Sequence, residues 1–352
     1  MRRNNFSSLV FVVLIAAVVF CFPEFAWSQG KVIELSHSSQ FPANHPLGKA
    51  QALWAQEIEK RTNGRVKITL YYSATLTSTE ACYEGVVRDS SDIGEAVLSI
   101  TRGRFPLMEA TDLPGYSFNG AVTSRVANDF YKKFKPKELD ETHVLYLNAH
   151  LPGGIHTRTK QIRTLEEMKG VRIRCTGLAA KIVQALGATP VAMPKLEQYD
   201  AMQRGLVDGT FAGISDLPAY KLAEVSKYCT LYPPVGYVSA FLTAMNKDKW
   251  NALPPDIQKV FTEVSDTWSE YSGKVWNEAE TEGIQLGKKV GQNRFISLSS
   301  QEGARWDKAI QPLFDDYKKN MKAKGLPGEE ALQYRQQLIE KYSKMYLPLK
   351  VD

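Results

Sequence analysis

Between Val32 and Tyr72 a β-prone run, a polar loop, a helix-period stretch and a second β-prone run follow one another, and this succession constrains the fold more than any other feature. The loop reads HSSQFPANHP, whose prolines stop the first strand, Val32–Ser36, from continuing. From Leu47 to Lys60, apolar residues at Leu47, Ala50, Leu53, Trp54 and Ile58 form one helical stripe with a charged reverse face. Asn63-Gly64 ends the helix, and Val66–Tyr72 is the second strand. Two strands joined through a helix predict parallel neighbours in a layered α/β domain.

The alternation continues. Glu80–Val87 reads as a helix, Ile93–Ile100 as a strand, Val122–Phe134 as a helix and His143–Asn148 as a strand. After Pro152, Gly153 and Gly154 a second unit begins: a helical turn at Leu165–Lys169, a strand at Val171–Arg174, a helix at Leu178–Leu186, a strand at Thr189–Met193 and a helix at Gln198–Arg204. Asp208-Gly209 turns into a further strand, and Tyr237–Met245 reads as a strand crossing back to the first unit. From Pro255 to Val290, Phe261, Val264, Trp268, Val275 and Trp276 keep helical spacing and predict one long helix bridging two lobes, its aromatic stripe serving as core packing. Trp306–Met321 and Ala331–Tyr346 read as terminal helices. The expected division is a first lobe at 29–152 with a return segment at about 240–262, a second lobe at 153–239, the bridging helix at 255–290 and C-terminal helices at 291–352.

Arg2 and Arg3, the apolar run Leu9–Phe22 and the small residues Ala26 and Ser28 predict a cleavable export signal at 1–28, with the mature chain in the periplasm. Without it 324 of the 352 residues remain, enough for two lobes, and the formal charge falls from +6 to +5. No later apolar run reaches membrane-spanning length. The positive charge is interleaved with acidic residues, which argues against a nucleic-acid partner. Cys82, Cys175 and Cys229 are widely spaced and odd in number, so they predict inert thiols instead of a disulfide framework or metal cluster. The five histidines all precede residue 160 and lack metal-ligand spacing; His37 and His45 share the first loop. Glu166 and Glu167 read as a solvated pair. With no phosphate loop, dinucleotide fingerprint or serine elbow, no metal, cofactor or catalytic residue is expected.

A binding cleft between two α/β lobes fits better, since strand-end loops from both sides converge there. The stretch MKGVRIRCTG, Met168–Gly177, places Arg174 near the end of a strand before a Thr-Gly turn. A guanidinium fixed in this way can pair with a carboxylate through two parallel hydrogen bonds. On the residues alone a second reading stays open, in which Arg174 is a surface salt-bridge residue.

TNGRVKI at Thr62–Ile68, RTLEEMKGVRIR at Arg163–Arg174, QRGLVDG at Gln203–Gly209 and MNKDKW at Met245–Trp250 occur in an order and spacing that resembles the extracytoplasmic solute-binding proteins of TRAP transporters, the DctP-type family. The resemblance implies a periplasmic binding protein-like two-lobe α/β fold with crossover strands and a long bridging helix, closing over an organic anion for an ion-gradient-driven permease. It puts Arg174 in the place of the family's ligand arginine, with Thr176 ordering the turn. Gly154 stands where sialic-acid-binding members have a second arginine and Ala212 where they have an asparagine, which favours a hydrophobic or aromatic monocarboxylate over a sugar acid or short dicarboxylate. The expected remainder of the pocket is Gln40 and Phe41 after the first strand, Phe211 and Asp216 after Gly209, and Tyr237 and Phe241 on the crossover strand. Arg102 and Arg104 could serve the fold or a permease surface. The chain is expected to act as a monomer; a periplasmic sensor presenting a bound acid to a membrane receptor is the alternative function.

Overall fold

The computed structural model describes residues 31–101, 103–291 and 294–351; the expected signal segment at 1–28 and Arg102 lie outside them. Among the described residues, β1 to β4 are Ile33–Ser38, Val66–Tyr71, Ile93–Val97 and Thr142–Ala149. Then β5 to β9 are Gly154–Thr157, Arg172–Cys175, Thr189–Ala192, Gly209–Ala212 and Tyr228–Leu231, and β10 and β11 are Ala240–Asn246 and Phe295–Ser297.

They form two sheets. The first has the order β2-β1-β3-β10-β4, the second β11-β9-β5-β8-β6-β7. Strand β1 lies parallel to β2 and β3, as the strand-helix-strand pattern requires. The returning strand β10 inserts antiparallel between β3 and β4. All seven of its residues are buried, and a central strand covered on both faces reads as a near-continuous apolar run. Tyr237 precedes this strand instead of lying on it. The three-residue β11 falls where only helices were expected; it is too short to show a period and pairs with β9.

The helix Pro46–Arg61 begins on His45, whose Nδ1 accepts the Leu47 N–H at 3.1 Å, and has Pro46 at its first turn. Trp54 and Ile58 pack with Leu35, Met245 and Phe261, joining helix and sheet. Asn63 and Gly64, both at positive φ, turn the chain into β2. His37 sits within β1 and not in the loop, buried edge-on to Trp54.

The helix Pro255–Val290 has 36 residues, a span of about 54 Å at the usual rise. Its first half packs Phe261 and Val264 into the first lobe, and Ile284 joins Ile214 and Leu217 in the second. Small residues permit the close approach: a Cβ at Gly273 would stand 2.7 Å from the Gly120 carbonyl oxygen, and one at Gly283 would stand 2.3 Å from that of Ile214. Alanine at 283 gains about 1 kcal/mol of helix propensity, but the obstructing atom is backbone and cannot rotate away. Gly283→Ala therefore lowers stability by about 1–3 kcal/mol net of that gain. Urea denaturation checks this, and a raised midpoint would contradict it.

Glu166 is exposed, as the reading of a solvated pair has it, and both carboxylates also make contacts with the fold. Glu167 closes a capping box with Thr164, and Glu166 pairs with Arg305 of the helix Ser300–Ala323. Arg104 is held by Glu84 and Glu141 and lies over the Tyr83 ring, so its charge is engaged with the fold. No described helix is long and apolar enough to cross a membrane.

Candidate functional site

Arg174 is 2% exposed on β6, and no acidic side chain among the described residues forms a salt bridge with it. The surface salt-bridge reading belongs instead to Arg172, two residues earlier, which is exposed and grips Asp208 through Nε at 3.0 Å and Nη2 at 2.8 Å. Arg174 Nε and Nη2 both donate to the Met193 carbonyl, at 3.1 and 2.9 Å. One edge of the guanidinium is thereby anchored to the backbone, while the edge formed by Nη1 and Nη2 is left to meet a ligand. Burial pulls the Arg174 pKa down from its ordinary value, yet arginine stays charged. A buried cation without a protein anion is costly unless something negative joins it.

The cavity that Arg174 faces encloses about 700 Å³ including its mouth, within the range of small-molecule sites. Of the seven expected pocket residues, Arg174, Gln40, Phe41, Asp216, Tyr237 and Phe241 line it. Phe211 does not. On the short strand β8 successive side chains point to opposite faces, and Phe211 turns away to pack edge-on behind Tyr237 at 4.9 Å. It supports the wall without forming it. Thr176 also lines the cavity, but its hydroxyl makes no hydrogen bond to the turn; Gly177, at φ +56°, supplies the bend.

The walls are aromatic. Phe41 and Phe241 approach at 5.5 Å, and Phe241 stacks on Trp276 at 5.6 Å. Trp276, read from its stripe as core packing, is both core and wall, and its indole N–H donates to Asn148 at 3.0 Å. His150 stands edge-on to Tyr237, with Nδ1 at 2.5 Å from the Leu151 carbonyl and Nε2 accepting the Ser239 N–H at 3.1 Å. Burial lowers its pKa to about 4, so it adds no charge near neutral pH. Gly153 makes room for this wall, since a Cβ there would lie 2.4 Å from the Tyr237 ring. Gly154 pairs with Ala212 across β5 and β8, and a Cβ on it would meet Cys229 Sγ at 2.8 Å. Neither position presents a polar side chain to a ligand.

Lys195, Tyr220 and Ser239 line the cavity without having been singled out from the sequence, and so do His45 and His150, which were weighed there only as metal ligands. Lys195 pairs with Asp216 at 2.5 Å and lies over the Tyr220 ring. Gln198 also donates to Asp216, at 3.3 Å. Asp216 therefore neutralises Lys195, Glu80 stands at the exposed rim, and among the described residues the buried part of the cavity is left with one uncompensated positive charge, on Arg174. Behind the site Glu280 accepts from the Ser215 N–H and hydroxyl; its burial pushes the carboxyl up to about 8.

Among the described residues no group of His, Cys, Asp and Glu could hold a metal ion. Cys82, Cys175 and Cys229 are free and buried, and burial pushes the Cys175 thiol up to about 11 despite the adjacent Arg174.

Residues 37–320 match the model of the DctP family, bacterial extracellular solute-binding protein, family 7. The chain belongs to this family. DctP proteins are substrate-binding components of transport, not enzymes, and those of TRAP systems take up small organic acids outside the cytoplasm and work with membrane permease components. The C4-dicarboxylate-binding periplasmic protein DctP of Rhodobacter capsulatus is 26% identical over 315 residues, covering 85% of this chain and 90% of its own. A TRAP periplasmic solute-binding protein from Desulfovibrio salexigens, solved as an open complex with the C-terminus of a symmetry mate in its ligand-binding site, is 32% identical with a TM-score of 0.80, covering 90% of this chain and 98% of its own. A TRAP solute-binding protein from Rhodoferax ferrireducens in complex with copurified benzoate is 27% identical with a TM-score of 0.83, covering 89% and 99%. These similarities establish the two-lobe TRAP fold for this chain.

Proposed function

We propose that this DctP protein captures an organic monocarboxylate with a hydrophobic or aromatic body and delivers it to a TRAP permease. The observation that carries this reading is the charge balance of the cavity: among the described residues a single uncompensated cation, Arg174, stands between walls of Phe41, Phe241, Trp276 and Tyr237. One carboxylate neutralises that cation through its free edge. A second would be buried with no cation left to meet it, at a cost of several kcal/mol. Lys195 does not fill that role while Asp216 holds it. The benzoate found in the Rhodoferax protein supports the aromatic body. The dicarboxylate named for the Rhodobacter protein, at similar identity, points the other way; the charge balance of the cavity supports the monocarboxylate.

A thermal-shift panel tests this reading. Benzoate at about 100 times its dissociation constant stabilises the folded state by about 2.7 kcal/mol, and succinate leaves the melting temperature unchanged. Preferential stabilisation by succinate would remove the monocarboxylate assignment. No shift with any acid would remove the carboxylate site altogether. In the same assay Asp216→Asn frees Lys195 as a second cation, and the protein gains a response to succinate.

A further inference from the structure

We propose that His45 is a ligand-contacting residue whose Nε2–H donates a hydrogen bond to the bound acid from the first lobe, while Arg174 grips it from the second. The inference rests on the cavity being the acid-binding site.

Three features of the His45 ring lead to it. Nδ1 accepts the Leu47 N–H at 3.1 Å and so carries a lone pair; in a neutral imidazole the proton is then on Nε2. Burial pushes His45 down to about 4, Asp216 and Lys195 acting on it in opposite directions, so the ring is neutral near pH 7. The ring plane is set by stacking on Phe41 at 4.4 Å and an edge contact with Trp276 at 5.9 Å. Cap and stack together fix where Nε2 points; His45 lines the cavity, and among the described residues the only hydrogen bond of its ring is the one at Nδ1.

The helix cap alone does not call for histidine, because asparagine caps as well or better. What the imidazole adds is reach: one ring nitrogen holds the helix end while the other meets the cavity. It also adds a donor without adding charge. A ligand oxygen gains a second partner while the cavity keeps the single positive charge that matches one carboxylate. Occupancy is thereby tied to the first turn of the helix Pro46–Arg61, so the ligand bridges both lobes.

His45→Asn separates cap from contact. It keeps the melting temperature within about 1 °C of the parent, whereas His45→Ala lowers it by about 2 °C through loss of the cap. Calorimetry with benzoate shows affinity lower by about fivefold to tenfold in both variants. In ¹⁵N-histidine spectra of the parent protein at pH 7, His45 is the Nε2–H tautomer, and benzoate moves that proton downfield. Parental benzoate affinity in His45→Asn, an Nδ1–H tautomer, or an unmoved Nε2–H signal in the complex would each overturn the inference. If Arg174→Ala loses binding while His45→Asn keeps it, only the role of His45 fails. If the parent protein binds no benzoate, the acid-site reading fails and this inference falls with it.

Discussion

Arg174→Ala loses benzoate affinity by at least about 100-fold in calorimetry, because truncating one partner of a buried charge pair costs about 3–5 kcal/mol. The loss has two parts. The ligand carboxylate enters a site without a counter-charge, and the Met193 carbonyl loses the two donors that hold it at 2.9 and 3.1 Å. Arg174→Lys restores a positive charge but not the planar edge, since an ammonium cannot both anchor on Met193 and present two parallel donors. It recovers only part of the affinity. Arg172→Ala is the control: that residue is exposed and paired with Asp208, so its removal leaves benzoate affinity unchanged. Parental affinity in Arg174→Ala would contradict the assignment of the site.

Stability peaks near pH 6.5 and falls on both sides. Burial pushes all five histidines, His37, His45, His143, His150 and His156, down to about 4 from 6.5. Between those values the unfolded chain binds more protons at these positions than the folded chain, so their contribution is lost as pH falls. Burial acts in the other direction on the acids: Glu95 rises to about 7, Glu280 to about 8 and Asp112 well above its ordinary range. Above about 4.5 the folded chain keeps protons that unfolded carboxyls release, so this contribution is lost as pH rises. Near pH 5 the five histidines outweigh the three acids, and stability climbs by about 2 kcal/mol per pH unit. Above pH 6.5 the histidine effect is spent and the acids alone set a decline. Calorimetric melting temperatures from pH 4 to 9 check the curve, and Glu280→Gln flattens its alkaline side. A melting temperature still rising through pH 8 would contradict the balance.

The regular parts of this fold are legible in the residues because they repeat. The stripe from Leu47 to Ile58 and that from Phe261 to Trp276 each carry a helical period, and the two helices lie at Pro46–Arg61 and Pro255–Val290. Short elements carry no period. The strand Phe295–Ser297 went unread for this reason, and on Gly209–Ala212 alternation alone could not say that Phe211 faces away from the cavity. Lys195 lies in a three-residue helical turn, His45 at a helix start and Tyr220 at the end of another short helix. They meet only because two sheets bring their loops together, which no local pattern records. Trp276 shows a different limit: its spacing marks a core residue, and the same ring also forms the cavity wall. Arg174 stood out because a strand leads it into a turn, but the Met193 carbonyl that orients it comes from beyond the next strand.

A crystal structure of the protein with benzoate tests the central claim most directly. The carboxylate is expected on the Nη1–Nη2 edge of Arg174, both oxygens within hydrogen-bond reach of the guanidinium, with the ring among Phe41, Phe241 and Trp276 and the Lys195–Asp216 pair intact. A carboxylate bound to Lys195 in place of Asp216, or benzoate bound outside this cavity, would contradict it.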